Sequence, residues 1–270
     1  MSASPTSDLE RAPLAPWELE ATPPTAAAKL APRARLSAPF CAAVAAASLF
    51  SVALLLLISW TLKMYVTPAA PLFQWTSFAL HPWLMTLAFG VLSPLASVAF
   101  KGLELGLGVS RARAKAVHLS LMSAASAAGL VGAADMWRVH EEGAAAQVGK
   151  GWAVHLQSAH SWGGALALVL FTLNWCVGLG VFALPFASAK TRRMTLRPHA
   201  FVGAVSLFGC LGSISTGCLS LGFRGDNASQ KDILLKLIAL LAYLLGIALA
   251  LVHASAPGQD KSLSTDALQR

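Results

Sequence analysis

Charge is what this sequence has least of. Only 12% of its 270 residues are Asp, Glu, Lys or Arg, while 56% are hydrophobic; a soluble domain carries about 25% charged residues. That shortage excludes an ordinary soluble domain and places the chain in a membrane. Acidic side chains are the scarcer sign, 12 against 20 basic ones, and the long apolar runs are almost free of them. Asp135 comes nearest, at the end of one run. Cysteine is also sparse. Cys41, Cys176, Cys210 and Cys218 all fall within apolar runs, where they are expected to be buried small apolar residues and not disulfide halves. No Cys-x-x-Cys-His occurs, which excludes a covalently attached c-type haem. The formal charge of +8 calls for no nucleic-acid partner if the basic residues flank membrane spans. No apolar core of the signal-peptide kind precedes Leu36, so a cleaved leader is not expected.

What is present is a series of uncharged runs, each near the length of about 20 residues that a membrane helix needs. They fall at about 36–62, 77–100, 115–134, 155–184, 198–222 and 233–253. Pro82 suits the first turn of the second run, Pro94 predicts a kink in its lower half, and Pro185 ends the fourth. Residues 1–38, rich in Ala, Pro and Ser, read as a disordered tail; 39–253 form the membrane domain and 254–270 a short polar tail. Six spans put both tails on one side. Together with the loops at 101–115 and 189–197, the tails hold 14 of the 20 Lys and Arg, so positive-inside bias makes both termini cytosolic.

Four consecutive runs carry a histidine near their start: His81, His118, His160 and His199. Neighbouring spans run in opposite directions. His81 and His160 therefore share the outer face, and His118 and His199 the inner one. The expected fold is all-α, with six transmembrane helices and a central four-helix bundle (spans 2–5) whose interior presents two histidine pairs, a common site for cofactors. Two neutral imidazoles from opposite sides suit the axial positions of a b-type haem. With both positions filled, electron transfer is the natural task. Intramembrane histidines also serve metal transport, proton relay or plain helix–helix bonding, so a transporter or channel and a purely structural helical protein are the competing readings. Gly163 and Gly164 after His160, Gly203 after His199, and a small-residue stretch from Ala124 to Gly129 after His118 would admit a flat macrocycle or a close helix contact. His253 reads as interfacial. His140 and His155 read as outer-loop residues able to offer a metal or anion contact.

Several short motifs resemble one family. His81-Pro82-Trp83-Leu84-Met85, Lys115 three residues before His118, Ser158-Ala159-His160-Ser161-Trp162 with Asn174-Trp175, Gly178, Phe182 and Pro185 behind it, and Pro198-His199 with Gly203 are similar, in order, to the helix motifs of the eukaryotic cytochrome b561 family. The resemblance covers about 39–253. Asn174 stands where Gln is frequent, no Tyr precedes His160, and Leu221-Gly222-Phe223-Arg224 replaces an acidic–basic pair, closer to the short, domain-containing branch.

The resemblance implies two non-covalent b haems, held by His81 with His160 and by His118 with His199. It implies single-electron transfer from cytosolic ascorbate, docked near Lys115, to monodehydroascorbate or a ferric chelate on the other side, which would make the protein an ascorbate-dependent transmembrane oxidoreductase. An anionic donor would be drawn to Lys115, Arg111 and Arg197 among the inner basic residues Lys101, Arg111, Arg113, Lys115, Arg192, Arg193 and Arg197, and His155 is the candidate contact at the outer end. Membrane lipid and, in a homodimer, a second copy of the chain complete the expected partners.

Overall fold

The computed structural model describes residues 37–63, 78–99, 102–104, 107–145, 155–222 and 230–255. The expected tails up to Leu36 and from Ala256 on, Pro68, Pro71, Lys101, Lys150, Phe223, Arg224 and Asp226 lie outside these residues. Six helices follow one another: α1 Ala38–Lys63, α2 Leu80–Ala99, α3 Arg111–Ala145, α4 Ala159–Ala183, α5 Ala189–Gly222 and α6 Gln230–Ser255. Each is long and apolar enough to cross a membrane, as the uncharged runs predict.

Serine begins four of them. Ser37, Ser110, Ser158 and Ser188 accept hydrogen bonds through Oγ from the backbone N–H groups of Phe40 (3.3 Å), Arg113 (3.4 Å), Ser161 (3.1 Å) and Thr191 (3.1 Å), satisfying donors that a helix start leaves open. These caps correct the expected boundaries. Residues 111–115 and 189–197, read as loop from their charge, are helical. The charge marks where lipid ends, and the cap marks where the helix begins. His118 and His199 therefore lie well inside α3 and α5 and not near their first residues. At its other end α3 continues past Asp135 and His140, so His140 is a helix residue. Asp135 is buried there and takes a 2.9 Å bond from Arg138.

At Pro94 the helix changes its winding. A proline ring clashes with the carbonyl four residues back and has no N–H to give it. Here the segment just ahead, Thr86–Leu92, is wound as a π-helix. The Ser93 N–H reaches back five residues to the Ala88 carbonyl, and Ser93 Oγ bonds the same oxygen at 2.9 Å. The extra residue per turn lets the helix pass the proline. Leu179–Ala183 repeats the device just before Pro185, where α4 ends as expected. Pro198 sits inside α5 without ending it.

Helices α1 and α6 lie together, and α6 also packs on α5. Their contacts hold the most completely buried side chains, including Leu54, Ile58, Leu235, Ile238, Leu245 and Leu249. Two antiparallel hairpins, α2–α3 and α4–α5, make up the rest, and they touch each other sparingly. Trp175 Nε1–H donates to Ser123 Oγ (3.1 Å) between α4 and α3. Phe89 of α2 meets Phe171 of α4 edge to face, with ring centres 5.1 Å apart. All four cysteines are free. Cys210 and Cys218 are buried as expected, but Cys41 and Cys176 are exposed, because they stand on the outward faces of their helices.

Candidate functional site

The fold brings the four histidines into two facing pairs, one from each hairpin. The ring centres of His81 and His160 are 6.2 Å apart, with planes at 84°. His118 and His199 lie within direct electrostatic range of each other at the opposite level. Among the described residues, no three His, Cys, Asp or Glu side chains gather into a metal-binding group; what the chain assembles is pairs.

Three of the four rings are oriented by main chain from the other helix of their own hairpin. His81 Nδ1–H donates to the Gly132 carbonyl (2.9 Å), and His118 Nδ1–H to the Ala96 carbonyl (2.8 Å). His160 Nδ1–H donates to the Ser213 carbonyl (2.9 Å), with Ser213 Oγ 3.2 Å away. The buried His199 Nδ1 makes no hydrogen bond of good geometry, and the carbonyl that faces it is that of Asn174. A carbonyl can only accept. The bonded nitrogens must therefore carry the proton, which leaves Nε2 with its lone pair free to bind a metal.

The four acceptors follow one rule. Ala96, Gly132, Asn174 and Ser213 stand fifteen, fourteen, fourteen and fourteen residues after the histidine on their own helix. The single count of fifteen belongs to α2, whose π-wound stretch takes up one residue more. The plan shared by spans 2–3 and 4–5 is thus a structural one: each helix supplies a histidine at one level and a carbonyl facing the neighbouring helix's histidine at the other.

The small residues named from sequence have other occupants. A Cβ on Gly164 would lie 2.7 Å from Ser213 Oγ, one on Gly203 3.0 Å from Asn174 Nδ2, and one on Gly129 2.8 Å from the Phe89 ring. Gly163 has nothing within 4 Å. The residues that sequence reasoning missed are Ser213 and Gly217, and Gly178 was noted only as part of the fourth-helix motif; a spacing shared by the two helices of the second hairpin was the signal for their place at the rings.

At the His118 level, Lys115 is half-buried one turn before the ligand, and Arg113, Arg193 and Arg197 are exposed. Arg111 and Arg192 each precede a histidine by seven residues, two turns along the same helix face. Arg111 makes a loose 3.7 Å contact with Glu104. Arg192 is partly buried, with a 3.4 Å bond to the Leu184 carbonyl and its Nε buried without a partner. At the other level His155 stacks flat on Trp137, with ring centres 3.7 Å apart, and His140 lies 5.7 Å from His155. Trp137 Nε1–H donates to Glu141 (2.8 Å). His140 is also within electrostatic range of His81. His253 is exposed at the end of α6, with Nδ1 bonded to the Leu249 carbonyl.

The donor set fits haem. An imidazole nitrogen binds a first-row metal ion at about 2 Å, and the ring centre lies roughly 1 Å beyond it, so two rings opposed across one ion stand about 6 Å apart. The His81–His160 separation matches that span, and the sparse contact between the hairpins leaves the macrocycle a place to enter.

These features define a helical membrane protein with paired, pre-oriented histidines. The family model for eukaryotic cytochrome b561 matches residues 80–224, over half of the chain, and the chain belongs to that family. It is an integral, multi-pass membrane protein of a family that implies haem b. It is 32% identical over 146 residues to a lysosomal membrane ascorbate-dependent ferrireductase of Mus musculus, covering 54% of each chain. It is 29% identical over 155 residues to transmembrane ascorbate ferrireductase 1 of Arabidopsis thaliana, covering 57% of this chain and 60% of that one. Against a probable ascorbate-specific transmembrane electron transporter of Oryza sativa subsp. japonica the identity is 27% over 183 residues, 66% of this chain and 74% of the other. The chain spans about half the length of the first curated relatives it matches.

Proposed function

We propose that the protein carries single electrons across a membrane, from cytosolic ascorbate to monodehydroascorbate or a ferric chelate on the opposite side, through two b haems. His81 and His160 hold one haem, and His118 and His199 the other. When bound, haem supplies a one-electron Fe(III)/Fe(II) couple. The observation that carries this reading is the 6.2 Å separation of the His81 and His160 rings, both held through Nδ1 by a carbonyl of their own hairpin.

The chain's own residues do the remaining work. Held between two imidazoles, one from each hairpin, a bound haem would supply electron transfer. The basic bias supports a cytosolic face for the His118 level. There Lys115 and Arg111 on α3, and Arg192 and Arg197 on α5, attract and orient the ascorbate anion. The unpartnered Nε of Arg192 makes it a second hydrogen-bond donor beside Lys115. At the far face His155, held by Trp137 and next to His140, provides the acceptor contact. Phe89 and Phe171 fill the space between the two levels with packed aromatic side chains.

The test is a haem count and a vesicle assay. Purified protein is expected to hold two haems per chain, and vesicles loaded with ascorbate to reduce an external ferric chelate. Lys115→Ala should slow reduction by ascorbate about tenfold, the worth of one hydrogen bond to a charged group, with haem content unchanged. A colourless folded protein would end the reading, and an undiminished rate in Lys115→Ala would move the donor site elsewhere.

A further inference from the structure

Two glycines of the α4–α5 hairpin lie against the rings of the opposite helix's histidines. A Cβ on Gly217 would lie 2.8 Å from Cε1, 3.0 Å from Nδ1 and 3.3 Å from Nε2 of His160. A Cβ on Gly178 would lie 2.9 Å from Cε1, 3.6 Å from Nε2 and 3.7 Å from Nδ1 of His199. At Gly217 all three atoms lie between 2.8 and 3.3 Å, so the glycine backs the face of the His160 ring; at Gly178 the contact is with the Cε1 corner of the His199 ring, both nitrogens lying 3.6 Å or more away. His160 cannot simply retreat, because the Ser213 carbonyl holds its Nδ1.

The arrangement is reciprocal. His160 and Gly178 on α4 are eighteen residues apart, as are His199 and Gly217 on α5. Eighteen residues make five helical turns and a rise of about 27 Å, so each histidine and the glycine on its own helix share a face at opposite levels. Among the described glycines of the α2–α3 hairpin, none lies against an imidazole in this way. Gly132, beside His81, would meet Leu84 Cβ, Met85 Cε and the His81 carbonyl oxygen, and no imidazole atom.

We propose that Gly217 and Gly178 are positioning residues that set the rotation of the His160 and His199 imidazoles, and through it the electronic state and retention of the haem each ring ligates. The inference rests on the histidine pairing proposed above. Each glycine acts on one level only. Groups that orient a metal ligand tune the metal without touching it, and the rotation of an axial ring about its metal bond is the quantity a methyl group at 2.8 Å must change.

The test uses the haem-loaded protein, read by electron paramagnetic resonance of the ferric state and by haem retention. The two low-spin signals are assigned from His160→Ala and His199→Ala, each of which removes one of them. Gly217→Ala should move the signal missing in His160→Ala, weaken haem retention at that level by roughly tenfold to a hundredfold, and leave the other signal in place. Gly178→Ala should do the reverse. Gly180→Ala is the control: Gly180 is exposed with nothing within 4 Å, and its substitution should change neither signal. If Gly217→Ala does not accumulate as folded protein, Gly178→Ala tests the same claim at the other level. Signals unmoved in both variants, or both signals altered equally by either one, would overturn the proposal. Wild-type protein without haem would instead overturn the reading beneath it.

Discussion

The α2–α3 and α4–α5 hairpins solve one problem in two ways. Each must hold two imidazoles about 20 Å apart along the membrane normal, since fourteen residues of helix rise roughly that far. The first hairpin relies on main-chain carbonyls, and its helix α2 keeps register past Pro94 by π-winding. The second adds a hydroxyl from Ser213 and a glycine behind each ring. Every pair draws one histidine from each hairpin, so each pair joins a ring bonded to a main-chain carbonyl of α2 or α3 to one that a glycine of α4 or α5 touches.

The largest expected effect tests whether pairing runs between the hairpins. His81→Ala and His160→Ala, in different hairpins, should each leave one haem per chain and remove the same one, while His118→Ala and His199→Ala remove the other. Haem stoichiometry with spectral subtraction measures this. A variant that empties both sites, or two facing variants that remove different haems, would break the comparison. Next comes the contact between hairpins. Phe89→Ala deletes a ring packed on Phe171 and Gly129 and should cost about 3 kcal/mol by its cavity, read as earlier thermal loss of both haems together; loss from one level only would deny that Phe89 serves the whole core. The smallest effect sharpens the asymmetry. Ser213→Ala removes a hydroxyl beside His160 Nδ1 but keeps the carbonyl, so about 1 kcal/mol should be lost, with a small shift of the His160 haem alone. No change in its midpoint potential or thermal release would show that the carbonyl suffices.

Much of this was legible in the order of residues. The uncharged runs mark six spans, and four histidines at alternating ends predict two facing levels, because antiparallel neighbours must bring alternate starts together. Where the reading failed, the reasons are specific. Arg111, Lys115 and Arg192 looked like loop residues because charge was taken as the end of a helix, yet serine caps at Ser110 and Ser188 carry α3 and α5 out beyond the apolar stretch. Gly164 and Gly129 left a macrocycle and a close helix contact both open, and the close contact is what they make. A one-dimensional pattern shows that a side chain is missing but not what fills the gap, which proved to be Ser213 and Phe89.

Sequence alone determined the membrane class, the number of spans and the identity of the four imidazoles, since scarcity of charge and the spacing of a rare residue act through length and polarity and need no partner. Only the tertiary structure decided which nitrogen of His81, His118 and His160 is left free, which glycines touch which rings, and that Ala96, Gly132 and Ser213 supply acceptors. Those facts depend on main-chain groups and empty Cβ positions meeting across helices, and neither carbonyls nor vacant space is written in the side-chain code.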